Sequence, residues 1–203
     1  MKKIIYPFAF CLAINVVTSC GNASEKDSKE VADSSNHAKI DNAANNGRPD
    51  SAIGKMADMK PDADFAVAAA DGGLLEVELG KLAVEKGRLK QIKDLGAMMV
   101  KDHSKVNEEL KAAAKAKDIT LPASMSDKCQ KKVADLREKS GGDFDKAYTD
   151  LMVRDHKEDI DAFKKEADKG NDPELKAWAS GKLSILEHHL MMSENAKKVA
   201  GKK

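Results

Sequence analysis

The 203 residues include 35 Lys and Arg against 34 Asp and Glu, a formal net charge of +1, and only 4% are aromatic. That balance leaves no cationic excess to neutralise phosphates and no aromatic platforms between basic stretches, which excludes a nucleic-acid partner from the expectations. The length suits one ordinary domain plus terminal segments.

Reading from the start, Lys2-Lys3 precede a mostly apolar run from Ile4 to Val17 and then small residues ending at Cys20. This is the order of an export signal, and the run is too short to span a bilayer comfortably. The junction Val17-Thr18-Ser19-Cys20 resembles a lipobox. Residues 1–19 are therefore expected to be a cleaved signal, with Cys20 acylated and holding the chain on a membrane through its lipid anchor. Gly21, rather than Asp, follows the cysteine; among Gram-negative lipoproteins this implies the outer membrane, with the domain in the periplasm or at the cell surface. Cys11 leaves with the signal and Cys20 carries lipid, so Cys129 stays alone and no intramolecular disulfide is expected in the mature chain. In a lysine-rich helix it reads as a packing residue.

Residues 20–60 form the next segment, rich in Ser, Asn, Asp, Lys and Ala, with turn signals at Asn45-Asn46-Gly47 and Arg48-Pro49-Asp50. Its composition predicts a disordered linker with a root-mean-square reach of roughly 35 Å. Residues 61–203 then switch to helical periodicity. A first long helix is expected over 63–86, with Phe65, Ala68, Leu75, Leu79 and Leu82 on one stripe. A second, over 89–116, carries Ile92, Leu95, Met99, His103, Val106 and Leu110. A short helix follows over 126–138 and ends at Ser140-Gly141-Gly142. The third long helix, over 143–168, carries Phe144, Tyr148, Met152, His156, Ile160 and Phe163. Asp172 caps the fourth and Pro173 opens it; it runs to Val199 through Leu175, Ala179, Leu186, His189 and Ser193.

Two tight joints and one long middle connection exclude a simple up-down-up-down bundle. They predict an all-α, ferritin-like four-helix bundle with a short helix in the crossover between the second and third long helices. Met98-Met99-Val100-Lys101-Asp102-His103 also matches Leu151-Met152-Val153-Arg154-Asp155-His156, as if two helical hairpins were copies of one.

His103, His156 and His189 fall on inward stripes, and Glu76 sits at the edge of the first helix's apolar face. With ferritin-like connectivity their heights agree to within roughly 7 Å. Neutral imidazoles facing a glutamate can bind a divalent transition metal, with Asp102 or Asp155 as supporting partners. Equally, the same groups can satisfy one another by hydrogen bonds, with Asp102 and Asp155 on a solvated edge. Oxygen-activating di-iron chemistry fits poorly, because Val100, Val153 and Leu186 stand where a Glu-x-x-His motif needs its glutamate. Met98, Met99, Met152, Met191 and Met192 lie near the histidine level; as a stripe they read as core filling rather than copper ligands. No phosphate loop, serine triad or paired-carboxylate hydrolase motif is present, so no catalytic residue is assigned.

The segments Glu76-Val77-Glu78-Leu79-Gly80-Lys81-Leu82-Ala83, Met99-Val100-Lys101-Asp102-His103, Leu121-Pro122, Gly142-Asp143-Phe144-Asp145-Lys146-Ala147-Tyr148 and His189-Leu190 together resemble a bacterial envelope family. It is the one known as domain of unknown function 4142, labelled outer membrane protein and grouped with ferritin-like folds. The resemblance implies the ferritin-like fold over about residues 62–199. It places the family's recurring acid at Glu76 and its recurring histidines at His103, His156 and His189, with His188 extra. The chain departs by its polar linker and lipobox, and at Gly181-Lys182-Leu183-Ser184, where relatives tend to have a Leu-Pro step. For activity the resemblance implies little. A structural or protein-interaction module of the envelope without a metal is the other function expected from these residues.

Overall fold

A computed structural model describes residues 27–45 and 59–202. The expected signal 1–19, the expected acylation site Cys20 and residues 21–26 and 46–58 of the expected linker lie outside the described residues. The described chain is all-helical: α1 (Ser28–Asn45), α2 (Lys60–Lys86), α3 (Lys90–Ala116), α4 (Asp127–Arg137), α5 (Gly141–Lys169) and α6 (Pro173–Ala200). None of these helices is long and apolar enough to cross a membrane.

Two buried carboxylates reveal the direction of the long helices. Asp62, in the first turn of α2, accepts from the backbone N–H groups of Asn171 (2.9 Å) and Asp172 (2.9 Å) at the α5–α6 joint. Asp145, in the first turns of α5, accepts from those of Arg88 (2.9 Å) and Leu89 (3.2 Å) at the α2–α3 joint. In consequence α2 and α6 run one way, α3 and α5 the other, and residues 117–140 travel the length of the long helices. Both acids are fully buried, yet each meets joint amides that no helix would satisfy.

Helix ends follow local chemistry. The Asp172 side chain accepts from Glu174 N–H and Leu175 N–H, and Pro173, with no N–H to lose, occupies the first turn of α6. Ser126 caps α4 through Cys129 N–H, and Asp71 of α2 anchors that cap by accepting from Ser126 N–H and Ser126 Oγ–H, both at 2.7 Å. Cys129 donates to the same carboxylate, and burial pushes its thiol up to about 11, so it remains a protonated packing residue.

Apolar residues separate into two ends. Towards the α2–α3 joint lie Leu79, Ile92, Leu95, Met99, Phe144, Tyr148 and Met152. At the other end Ala66, Leu110 and Leu175 form one cluster, with Ile160, Phe163, Ala179 and Leu186 in another. Each fully buried aliphatic or aromatic side chain contributes about 1.5–3 kcal/mol. Between these ends the stripes of all four long helices turn polar.

The linker expectation fails over Ser28–Asn45, which forms α1 and docks on α2 and the crossover. Composition missed it because the docking relies little on apolar burial; among the described side chains of α1 only Ala32 is apolar and buried. Directional polar bonds replace it. Asn36 Nδ2 donates to Thr120 O (2.8 Å) while Thr120 N–H donates to Asn36 Oδ1 (2.7 Å), a two-way amide pairing. Ser28 Oγ accepts from Ala123 N–H and Ser124 N–H, Asp27 accepts from Asp127 N–H, and Lys39 donates to Asp118 O. Asn36→Ala strands the Thr120 amide, a loss of about 1–3 kcal/mol confined to this dock. Hydrogen exchange is expected to show faster exchange throughout α1 with the cores of α2, α3, α5 and α6 unchanged; uniform protection would contradict the dock.

Candidate functional site

Each long helix contributes one side chain to the polar layer: Glu76 from α2, His103 from α3, His156 from α5 and His189 from α6. All four are buried, with His156 fully so. A neighbouring core residue lies one turn away on each helix: Leu79, Met99, Met152 and Leu186. The layer therefore interrupts the core on the stripes that the sequence identifies.

Close approach of α2 and α3 sets its first contact. Gly80 and Gly96 face each other, so that a Cβ on Gly96 would come within 2.6 Å of Gly80 O. One turn before Gly80 on α2 and two turns beyond Gly96 on α3, His103 Nδ1 lies 2.8 Å from Glu76 Oε2.

The hydrogen positions follow from which partners can only accept. The Glu76 carboxylate accepts from His103 Nδ1–H. The Asp102 carboxylate accepts from His189 Nε2–H at 3.1 Å. Neutral His189 then presents a bare Nδ1, 3.2 Å from His103 Nε2, and the hydrogen between them belongs to His103. His103 is thus an imidazolium donating at both ends. Its charge balance agrees: burial pushes the ring down, but the Glu76 carboxylate outweighs it and raises His103 above its ordinary value. Burial lowers His189 to about 4 and also lowers His156. Burial works against a charged Glu76, yet the His103 imidazolium beside it holds its carboxyl well below the usual range.

His156 is oriented differently. Its Nδ1–H donates to Met152 O at 3.0 Å, which leaves Nε2 as a bare acceptor. That nitrogen lies 3.4 Å from Glu76 Oε1, and among the described residues neither atom has a hydrogen-bond partner. Two buried acceptors thus face each other. One ring nitrogen from each of His103, His156 and His189 lies within 4.8 Å of the others. Tetrahedral coordination with bonds of about 2.0–2.1 Å needs nitrogens about 3.4 Å apart, so the His103–His189 pair already fits and His156 must move by about an ångström. A cavity of about 20 Å³ against Glu76, His103, Asn107 and Asp159 has room for one water-sized group.

Asp102 and Asp155 do not form the expected solvated edge. Asp102 orients His189, and Asp155 is buried in ion pairs with Lys132 (3.1 Å) and Arg154 (3.8 Å). Met99 and Met152 fill the core, whereas Met191 and Met192 are exposed. His188 is exposed, outside the layer. Sequence reasoning missed Asp159, whose carboxyl burial and the neighbouring Glu76 charge push well above its ordinary value. It stands three residues after His156, on the same helix face, whereas the Glu-x-x-His pattern puts its carboxylate three residues before the histidine. Tyr148 lies in the core as its stripe predicts; its hydroxyl has no hydrogen-bond partner among the described residues, and burial together with the Glu76 charge raises it far above its ordinary value.

No curated protein and no solved structure matches the chain. Residues 48–196, which contain the whole polar layer, match one family of proteins. On that match, spanning most of its length, the chain belongs to the family described as domain of unknown function 4142.

Proposed function

We propose that the protein is a lipid-tethered domain of the bacterial envelope, a ferritin-like four-helix bundle that holds one divalent transition metal among His103, His156 and His189. Glu76 and Asp102 orient the rings. The observation carrying this reading is the pair of facing acceptors, His156 Nε2 and Glu76 Oε1, at 3.4 Å with no hydrogen between them. A cation there relieves what hydrogen bonding leaves open, because a buried lone pair without a partner costs about 1–3 kcal/mol.

The outer contacts support it as well. Each ring's second nitrogen already binds an oxygen: Glu76 for His103, Met152 O for His156 and Asp102 for His189. Metal-bound histidines are held in this way. Three imidazoles suit zinc, copper, nickel or iron. The directions of the long helices, with a full-length crossover, support the ferritin-like arrangement, while Cys20 and its lipobox support the tether. No catalysis is assigned.

A second reading, a structural or partner-binding module without metal, is favoured by the unbroken chain Glu76–His103–His189–Asp102, which gives three of the four layer residues a side-chain partner. Elemental analysis separates the two. The protein purified without chelators or a histidine tag is expected to carry about one metal per chain, lost in His103→Ala/His156→Ala. Substoichiometric metal that is the same in both proteins would overturn the metal site and leave the module.

A further inference from the structure

The histidine layer is closed by core residues towards both ends of the long helices, yet one cleft reaches it from the side. A cavity of about 450 Å³ extends from exposed Glu30, Lys128 and Glu158 at its mouth to buried Glu76 at its floor. Asp155 and Asp159 line it between these levels, and the start of α1 forms part of its outer wall. We propose that this vestibule is the path by which a divalent cation reaches the histidine layer, with Asp155 and Asp159 as its stepping ligands. The inference rests on the metal-site reading above.

Acids alone would not carry it. Glu76 supplies the independent observation: its side chain is 4% exposed, it lies on the floor of the vestibule, and Oε1 has no hydrogen-bond partner among the described residues. The other walls supply the electrostatics. Asp71 is engaged by Ser126 and Cys129, and Lys132 lies 3.1 Å from Asp155, while Lys29 and Lys128 stand nearer the rim. Glu30 and Glu158, exposed at the mouth, are therefore the carboxyls that meet an incoming cation first; Asp159 lies deeper, and Lys132 must give up Asp155 for the cation to pass. An acid-lined cleft with low-dielectric walls concentrates cations, whereas oxygen ligands hold a transition metal less tightly than imidazoles. The gradient of ligand type runs inward.

Gly72 offers a way to obstruct the path. It lines the vestibule, and a Cβ there meets only Asp159 Oδ1 at 3.8 Å, so a larger side chain enters the cleft without striking backbone. Gly181, on α6 with open space around it, is the control. Co²⁺ uptake, followed by absorbance in stopped flow, and Co²⁺ release to EDTA are the readouts. Gly72→Leu is expected to slow both by about tenfold while their ratio, the dissociation constant, stays within about threefold. Glu158→Gln, at the exposed mouth, is expected to slow uptake by about threefold at low salt and less at high salt. Gly181→Leu is expected to load at the wild-type rate. Unchanged kinetics in both Gly72→Leu and Glu158→Gln would overturn the path while leaving the metal site standing. A wild-type protein that takes up no Co²⁺ would overturn the site and the path together.

Discussion

Replacing Glu76 by alanine is expected to cost about 3–5 kcal/mol of folding stability near pH 5.5, read as a lower urea midpoint. The substitution leaves the His103 Nδ1–H buried without an acceptor and removes the carboxylate that keeps the ring charged. The signs of the two titrations determine where the difference is largest. Glu76 is lowered from 4.5 to about 2, so its contribution is fully present above pH 4.5 and is lost as pH falls towards 2. His103 is raised above 6.5, so its contribution is fully present below pH 6.5 and is lost as pH rises through its folded value. The gap between wild type and Glu76→Ala is accordingly widest between pH 4.5 and 6.5 and narrows on either side. His189, lowered to about 4, stays neutral through most of that window; His156 is lowered as well, and both lose stability for either protein as pH falls below 6.5. Replacing the pair together, Glu76→Leu/His103→Leu, is expected to recover much of the loss, since the cost lies in stranding one partner. A gap independent of pH would mean that packing volume, not the ion pair, accounts for the loss.

Gly96→Ala is expected to destabilise the fold by about 2–3 kcal/mol, a large effect for one methyl group. The added Cβ would lie 2.6 Å from Gly80 O, 2.7 Å from Ala83 Cβ and 3.1 Å from Val84 N, and backbone cannot rotate aside as a side chain does. The helices must separate. Because Glu76 and His103 lie within two turns of this contact, the same variant is expected to lengthen their 2.8 Å bond and to weaken metal retention. Thermal unfolding and metal analysis on one sample check both halves. Gly80→Ala, whose Cβ meets Gly96 O at 2.8 Å, should reproduce the effect, and the double variant should cost less than the two losses combined.

Legibility in the sequence followed the kind of force at work. Apolar periodicity located the four long helices, and Asp172-Pro173 marked the start of α6 because cap and proline act within one turn. The same periodicity placed Glu76, His103, His156 and His189 at one level, since rise per residue converts positions into heights. Asp102 stayed open between a supporting partner of the histidines and a solvated edge because its partner, His189, lies on another helix, and Asp159 carried no signal because its significance comes from Glu76 across the layer. Asn36 carried no signal at all: an asparagine in a polar stretch looks the same whether or not Thr120 waits opposite it.

By itself the sequence determined the helical class, the number and order of the long helices and which face of each turns inward, all properties of local periodicity and capping. Tertiary structure alone decided that residues Ser28–Asn45 fold onto the rest, that His103 carries two hydrogens while His156 Nε2 carries none, and that Gly80 and Gly96 bring α2 against α3. Hydrogen bonds and close backbone approach depend on atoms distant in sequence meeting within a few tenths of an ångström. No single-helix pattern encodes that meeting; the packed chain does.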